Sequence, residues 1–192
     1  MSSLALFDFD KTLYKKDSLI EFTKFYKGKY VFYTGMIKIL PALILFKLGI
    51  ITNEKAKKKF ILHFYKNEEY TFFLAKGKEF ALTQIQKNLN SLIYNKLKKH
   101  ISENHSIYIV TASFSEWIEP WCKEHNIEII ATRLEIIDSK INGNLSTKNC
   151  FGKEKVKRIL EKINLDNFEK IYVYGSGKGD YDMLQLKKQR KF

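Results

Sequence analysis

The stretch that most constrains the fold of this 192-residue chain is Leu4-Ala5-Leu6-Phe7-Asp8-Phe9-Asp10-Lys11-Thr12-Leu13. Leu4 to Phe7 read as a short buried strand, bounded by a sudden pair of acids. On an extended chain the side chains alternate with period two, so carboxylates at i and i+2 point the same way. Like charges held side by side are unfavourable unless a cation lies between them or one acid keeps its proton. A strand that runs straight into Asp8 and Asp10 therefore points to chemistry at a strand's C-terminal end, where open α/β sheets place their sites.

The order of the remaining elements supports such a sheet. Ser18-x-x-Glu21 reads as a capping box with Ser18 at the N-cap, opening a helix that Gly28 ends. Thr52-Asn53-Glu54 starts another, with Ala56, Phe60 and Phe64 on its inner side and Lys55, Lys57, Lys58 and Lys59 mostly opposite. Helical spacing continues over about 68–90 and 92–100. From residue 106 the alternation changes. Ser106–Thr111 and Ile127–Thr132 read as strands, with a helix from Ser115 to Glu124 between them. A hairpin over Leu134–Asp138 and Lys140–Leu145 follows, with another tight bend at Asn142-Gly143-Asn144. A helix over Lys153–Lys162 and a strand over Lys170–Tyr174 complete a strand–helix–strand order, which implies a doubly wound parallel sheet.

Charge is unevenly placed. Residues 11–100 hold 19 Lys/Arg against 6 Asp/Glu and carry the whole net charge of +13, while the rest balances at 15 each. Such a segment suits an anionic substrate, an anionic membrane face or nucleic acid. Because 31 of the 34 basic residues are lysine, a solvated lysine face is the plainer reading. Nucleic acid is not expected, since no RNA- or DNA-binding signature is present and three arginines are few for phosphate forks. The most apolar stretch, 30–51, contains Lys38, Lys47, Pro41 and two glycines, too many interruptions for a membrane span. A buried or partly exposed helix broken at the proline fits it best, with a helix lying against a membrane surface as the alternative. Cys122 and Cys150 show neither metal-ligand spacing nor a disulfide framework and fit a reducing, cytoplasmic compartment. Met1-Ser2-Ser3 leads directly into the first strand, with no room for a signal peptide.

Asp8-Phe9-Asp10-Lys11-Thr12-Leu13 resembles the first motif of the haloacid dehalogenase-like (HAD) hydrolases, D-x-D-x-T/V-L. Ile109-Val110-Thr111-Ala112-Ser113 resembles their second motif, and Gly152-Lys153-Glu154-Lys155 their third, with Lys155 the better match and Lys153 the fallback. Tyr174-Gly175-Ser176-Gly177-Lys178-Gly179-Asp180-Tyr181-Asp182-Met183-Leu184 resembles the fourth, with one departure: Ser176 stands where the family carries its first acid. The four motifs occur in family order. The helical segment between the first and second matches subfamily IB, which includes phosphoserine phosphatase.

The resemblance implies a Rossmann-like core of residues 1–13 and 96–192, with an all-helical cap inserted at 14–95. It implies a phosphomonoester hydrolase in which Asp8 is the nucleophile and Asp10 the general acid and base. Thr111, Ala112 and Lys155 would bind phosphate, and Asp8, Asp10 and Asp180 would hold Mg²⁺. Asp17 would contact substrate, although capping the helix at Ser18 explains it equally well. The expected partner is a small phosphorylated substrate. A lipid phosphate at a membrane surface, reached through the cap, is the alternative, as is a binding module weakened by Ser176.

Overall fold

The computed structural model describes residues 3–189. The first half comprises β1 (Ser3–Phe7), α1 (Ser18–Lys27), α2 (Lys29–Lys47), α3 (Asn53–Tyr65), α4 (Tyr70–Phe80) and α5 (Ser91–Ser102). A π-helical turn (Ala81–Ile85) and a 3₁₀ turn (Gln86–Asn88) join α4 to α5. The second half comprises β2 (Ser106–Phe114), α6 (Ser115–Glu124), β3 (Glu128–Thr132), β4 (Leu134–Ile137), β5 (Lys140–Leu145), α7 (Lys153–Lys162), β6 (Lys170–Tyr174), α8 (Tyr181–Leu184) and β7 (Lys188–Gln189).

Five strands form one sheet in the order β3-β2-β1-β6-β7. β1 is its middle strand, parallel to β2 and β6, and β7 closes one edge antiparallel to β6. A central parallel strand must be apolar on both faces, and Ser3–Phe7 is buried throughout. Leu4 and Leu6 pack with Ile159 of α7 and Met183 of α8. Ala5 and Phe7 pack on the other side with Leu97 of α5 and Ile118 of α6. Helices on both faces of a largely parallel sheet make the doubly wound α/β architecture expected from the strand order.

Helices α1 to α4 lie between β1 and α5 in the chain and fasten to the sheet layer through aromatic rings. Phe22 of α1 stacks on Trp117 of α6 with centroids 4.5 Å apart, and meets Phe73 and Phe80 of α4 edge-on at 5.2 and 5.5 Å. Burial of each ring stabilises the packing by about 2–3 kcal/mol. The β4–β5 hairpin turns through Asp138 and Ser139, both left-handed (φ 48° and 61°), as a tight two-residue hairpin requires. It joins the α3–α4 connection through Asn67 N–H to Ile141 O at 2.9 Å and Tyr70 N–H to Ser139 O at 2.9 Å.

Three local expectations are corrected. First, α2 runs unbroken through Pro41. The ring removes an N–H that would bond the carbonyl of Ile37, but both residues lie on the exposed side, where that carbonyl is open to solvent. Second, the N-cap of α1 is Asp17, whose Oδ1 accepts from Ile20 N–H at 3.2 Å. Ser18 is the first helical residue, its hydroxyl paired with Ser113 Oγ at 2.7 Å and accepting from Trp117 Nε1 at 3.2 Å. Third, Asn142-Gly143-Asn144 lies inside β5, where Gly143 (φ 95°) sits so close to α3 that a Cβ would fall 2.3 Å from Leu62 Cδ2. Below the sheet, His100 and His105 meet through their Nδ1 atoms at 2.7 Å, with His100 Nε2 3.0 Å from Tyr174 OH.

Candidate active site

The site grows from the C-terminal ends of the three central strands. Beyond β1, Asp8 N–H donates to Tyr174 O at 2.8 Å, so the nascent loop stays in register with β6 for one more residue. The chain then turns sharply. Thr12 and Tyr14 both donate their N–H to Phe9 O, at 3.2 and 2.8 Å, and Lys11 takes a left-handed conformation (φ 61°). That turn points the Thr12 hydroxyl back at Asp8 Oδ2, 2.9 Å away. Beyond β6, Gly175 lets the loop fold against Asp180; a Cβ there would fall 2.6 Å from Asp180 Cβ.

Lys155 is the electrostatic centre. It stands in the first turn of α7, is 2 % exposed, and donates from Nζ to Asp8 Oδ1 at 2.6 Å, Asp180 Oδ1 at 2.6 Å and Val110 O at 2.8 Å. All three of its protons therefore have acceptors. Lys153, the fallback in the sequence reading, is exposed. The other oxygen of Asp180 accepts from Ser176 N–H at 3.0 Å and Gly177 N–H at 2.9 Å, so this carboxylate also holds the β6 loop in place.

Burial drives the titration of these groups. Desolvation raises the Asp8 carboxyl against the lowering influence of Lys155, and the neighbouring carboxylates hold the Lys155 ammonium charged against its own burial. Asp10 is pushed up to about 7, first by desolvation and then by Asp17, although Ser18 N–H donates to its Oδ1 at 2.8 Å. A carboxyl with its pKa near neutrality exchanges protons readily in either direction.

Asp8, Asp10, Thr111, Ala112, Lys155 and Asp180 all line one cavity of about 220 Å³. Six residues separated by as many as 172 positions in the chain thus meet in one place. Thr111 Oγ1 accepts from Ser113 N–H at 3.0 Å and shapes the irregular end of β2 at the cavity wall. Ser176 also lines the cavity; its hydroxyl lies 2.9 Å from Thr12 Oγ1 and donates to Lys11 O at 3.1 Å. Asp17 does not line this cavity. It lies in an adjoining one of about 370 Å³, which shares Asp10, Lys11, Ala112 and Phe151 with the first.

The donor set fits a hard cation. Three carboxylates, two hydroxyls and no soft ligand line the smaller cavity, the oxygen donors such a cation prefers. Asp8, Asp10 and Asp180 are the residues that would hold Mg²⁺.

Lys57 is the functional candidate that sequence reasoning missed. Its Nζ donates to Ala112 O at 2.6 Å and Asn149 Oδ1 at 2.7 Å, which ties α3 to the end of β2 beside the site. Burial pushes its pKa down to about 8 against the pull of Asp10 and Asp17. A signal existed: Lys57 stands four and seven residues before the buried Ile61 and Phe64, on the inner stripe of α3.

Known proteins resemble this chain along nearly its whole length. A sequence model of the haloacid dehalogenase-like hydrolases matches residues 5–185. Protein CicA of Caulobacter vibrioides is 29 % identical over 192 residues, covering 98 % of this chain and 85 % of CicA. A crystal structure of a protein of unknown function from Bordetella pertussis superposes with a TM-score of 0.81 at 22 % identity, covering 97 % of this chain and 87 % of that one. A phosphoserine phosphohydrolase-like protein from Francisella tularensis superposes with a TM-score of 0.65 at 22 % identity, covering 96 % and 82 %. The fold is thus shared with phosphoserine phosphatase-like proteins, and by the match over residues 5–185 this chain belongs to the haloacid dehalogenase-like hydrolases.

Proposed function

We propose that the chain is a Mg²⁺-dependent phosphomonoester hydrolase that works through an aspartyl-phosphate on Asp8. The observation that carries this reading is the buried Asp8–Lys155–Asp180 bridge at the head of a cavity that also holds Asp10 and Thr111. Asp8 attacks phosphorus; its bond to phosphorus forms as the ester P–O bond breaks. Asp10, poised near neutrality, gives its proton to the leaving oxygen and later takes one from the water that hydrolyses the intermediate. Lys155, the Thr111 hydroxyl and the backbone N–H of Ala112 stabilise charge on the phosphoryl oxygens. Bound Mg²⁺ supplies further positive charge there.

Residues 14–95 act as a cap over the core formed by 1–13 and 96–192, and Lys57 supports this role as a link from cap to core. Asp17, in the adjoining cavity, meets the substrate's organic part while it caps α1. The substrate is a small phosphorylated molecule. Cys122 and Cys150, free and buried, suit a reducing cytoplasmic compartment.

The test is hydrolysis of an aryl phosphate with and without Mg²⁺. Wild type turns over only with the metal, and Asp8→Asn loses about 10⁴-fold or more in kcat while its circular dichroism is unchanged. Ser176→Asp restores the acid of the fourth motif and tightens Mg²⁺ binding, read by calorimetry. Folded wild type without turnover, joined by active Ser176→Asp, would replace this reading with that of a binding module disabled at Ser176.

A further inference from the structure

Helix α2 has two apolar faces and buries only one of them. Phe32, Gly35, Ile39 and Ala42 form the inner seam. Phe32 stacks on Phe64 of α3 at 5.9 Å, and a Cβ on Gly35 would fall 2.5 Å from the same ring. On the far side Tyr30, Tyr33, Ile37, Leu40, Ile44 and Leu48 recur at intervals of three and four residues, so they form one stripe along the helix. Tyr30, Ile37 and Leu48 are 82 %, 71 % and 67 % exposed. A stripe of six large apolar side chains along one helix is the kind of patch that marks an interaction surface.

Charge indicates the partner. Lys29, Lys38 and Lys47 are exposed and α2 carries no acid. At the helical repeat Lys29 and Lys47 fall about a fifth of a turn to one side of the stripe and Lys38 about a third of a turn to the other. Apolar residues in the middle with lysines along both margins describe a helix lying in a lipid interface, its ammonium groups reaching the headgroups. Each lysine held near an anionic surface strengthens binding about fivefold. The inner seam argues against a span, because inserting α2 across a bilayer would strip Phe32 from Phe64 of α3 and pull Ile39 out of the core.

The site communicates with this helix. Met36, Leu43 and Phe46 of α2 line the 370 Å³ cavity, together with Leu19, Ile20 and Phe60, and that cavity adjoins the one holding Asp8. We propose that α2 is the docking face of this protein on an anionic bilayer, and that the apolar cavity takes the tail-proximal part of a phosphate monoester drawn from that surface. The substrate half of this inference rests on the phosphatase reading; the docking half does not.

The experiment uses the full chain and vesicles of phosphatidylglycerol mixed with phosphatidylcholine, with pure phosphatidylcholine as comparison. Wild type sediments with the anionic vesicles, and Ile37→Glu/Ile44→Glu loses about tenfold or more in partitioning. Both side chains face solvent, so the variant folds, and its turnover of a soluble aryl phosphate matches wild type. Turnover of n-dodecyl phosphate held in the vesicles drops about tenfold in the same variant. Wild type that stays in the supernatant, or a variant that binds as well as wild type, overturns the docking. So does a wild-type dimer in analytical ultracentrifugation that the variant dissolves, since the stripe then belongs to a second copy. Equal turnover of vesicle-held dodecyl phosphate by both proteins overturns the substrate class. Wild type inactive on both phosphates but bound to vesicles breaks the phosphatase reading and leaves the docking intact.

Discussion

At the strand ends Asp8, Lys155 and Asp180 are each less than a tenth exposed, and each is answered by a partner at 2.6 Å. On α2, Tyr30, Ile37 and Leu48 are two-thirds or more exposed, and the described chain lays nothing over them. The first region buries charge, which costs several kcal/mol per ion unless pairing and hydrogen bonds compensate. The second leaves apolar surface in water, which forgoes about 25 cal/mol per Å² that burial would return. Both run against the ordinary partition of side chains. Their difference lies in completion: the hydrogen bonds of the buried Lys155 are made within the chain, whereas the stripe on α2 is complete only against something else.

Removing the centre of the buried network breaks that side of the comparison most severely. Lys155→Met leaves Asp8 and Asp180 facing one another without a counter-charge, and should cost about 3–5 kcal/mol in urea unfolding at pH 7. The loss should shrink as the pH is lowered, because Asp8, raised by burial, takes up a proton and the repulsion ends. A loss that stays constant with pH would show that packing of the lysine stem, not its charge, holds the site together.

A second buried cluster sharpens the point at smaller scale. Burial, and then His105, push the His100 imidazole down to about 4. In the unfolded chain it titrates near 6.5. Above that pH both states are neutral and the folded protein keeps its full stability. As the pH falls through 6.5 the unfolded chain binds the proton first, so stability declines until the folded His100 titrates, by up to about 3 kcal/mol. His100→Gln should lack this component, and the difference between the two urea midpoints from pH 7 to 4 measures it.

How much of this was legible in the sequence follows from the same contrast. Asp8, Thr111, Lys155 and Asp180 each sit where an apolar run ends or a helix begins, and an abrupt change from apolar to polar marks such places in one dimension. Chain order then implied a parallel sheet that would gather them. Lys57 carried no such boundary; in a helix start with four lysines, only its offset from Ile61 and Phe64 distinguished it. Asp17 and Ser18 both make good N-caps, and what decided between them was the long-range bonding of Ser18 to Ser113 and Trp117. For α2 the pattern itself was uninformative. A helix apolar all round has no preferred inner face, and here packing against Phe64 chose the Phe32–Gly35–Ile39–Ala42 side.

That choice supplies the gentlest and most local test, because two isoleucines two positions apart lie on opposite faces of the same helix. Ile39 is 7 % exposed and Ile37 71 %. Removing one methylene from Ile39 leaves a void in the core, so Ile39→Val should lower stability by about 1 kcal/mol. Ile37→Val, facing solvent, should change it by less than about 0.5 kcal/mol. The two substitutions are chemically identical and share a helix, so propensity cancels and only the environment differs. Equal effects on the urea midpoint would mean that both faces of α2 are covered in solution. Unequal effects leave the outer stripe free for the surface it fits.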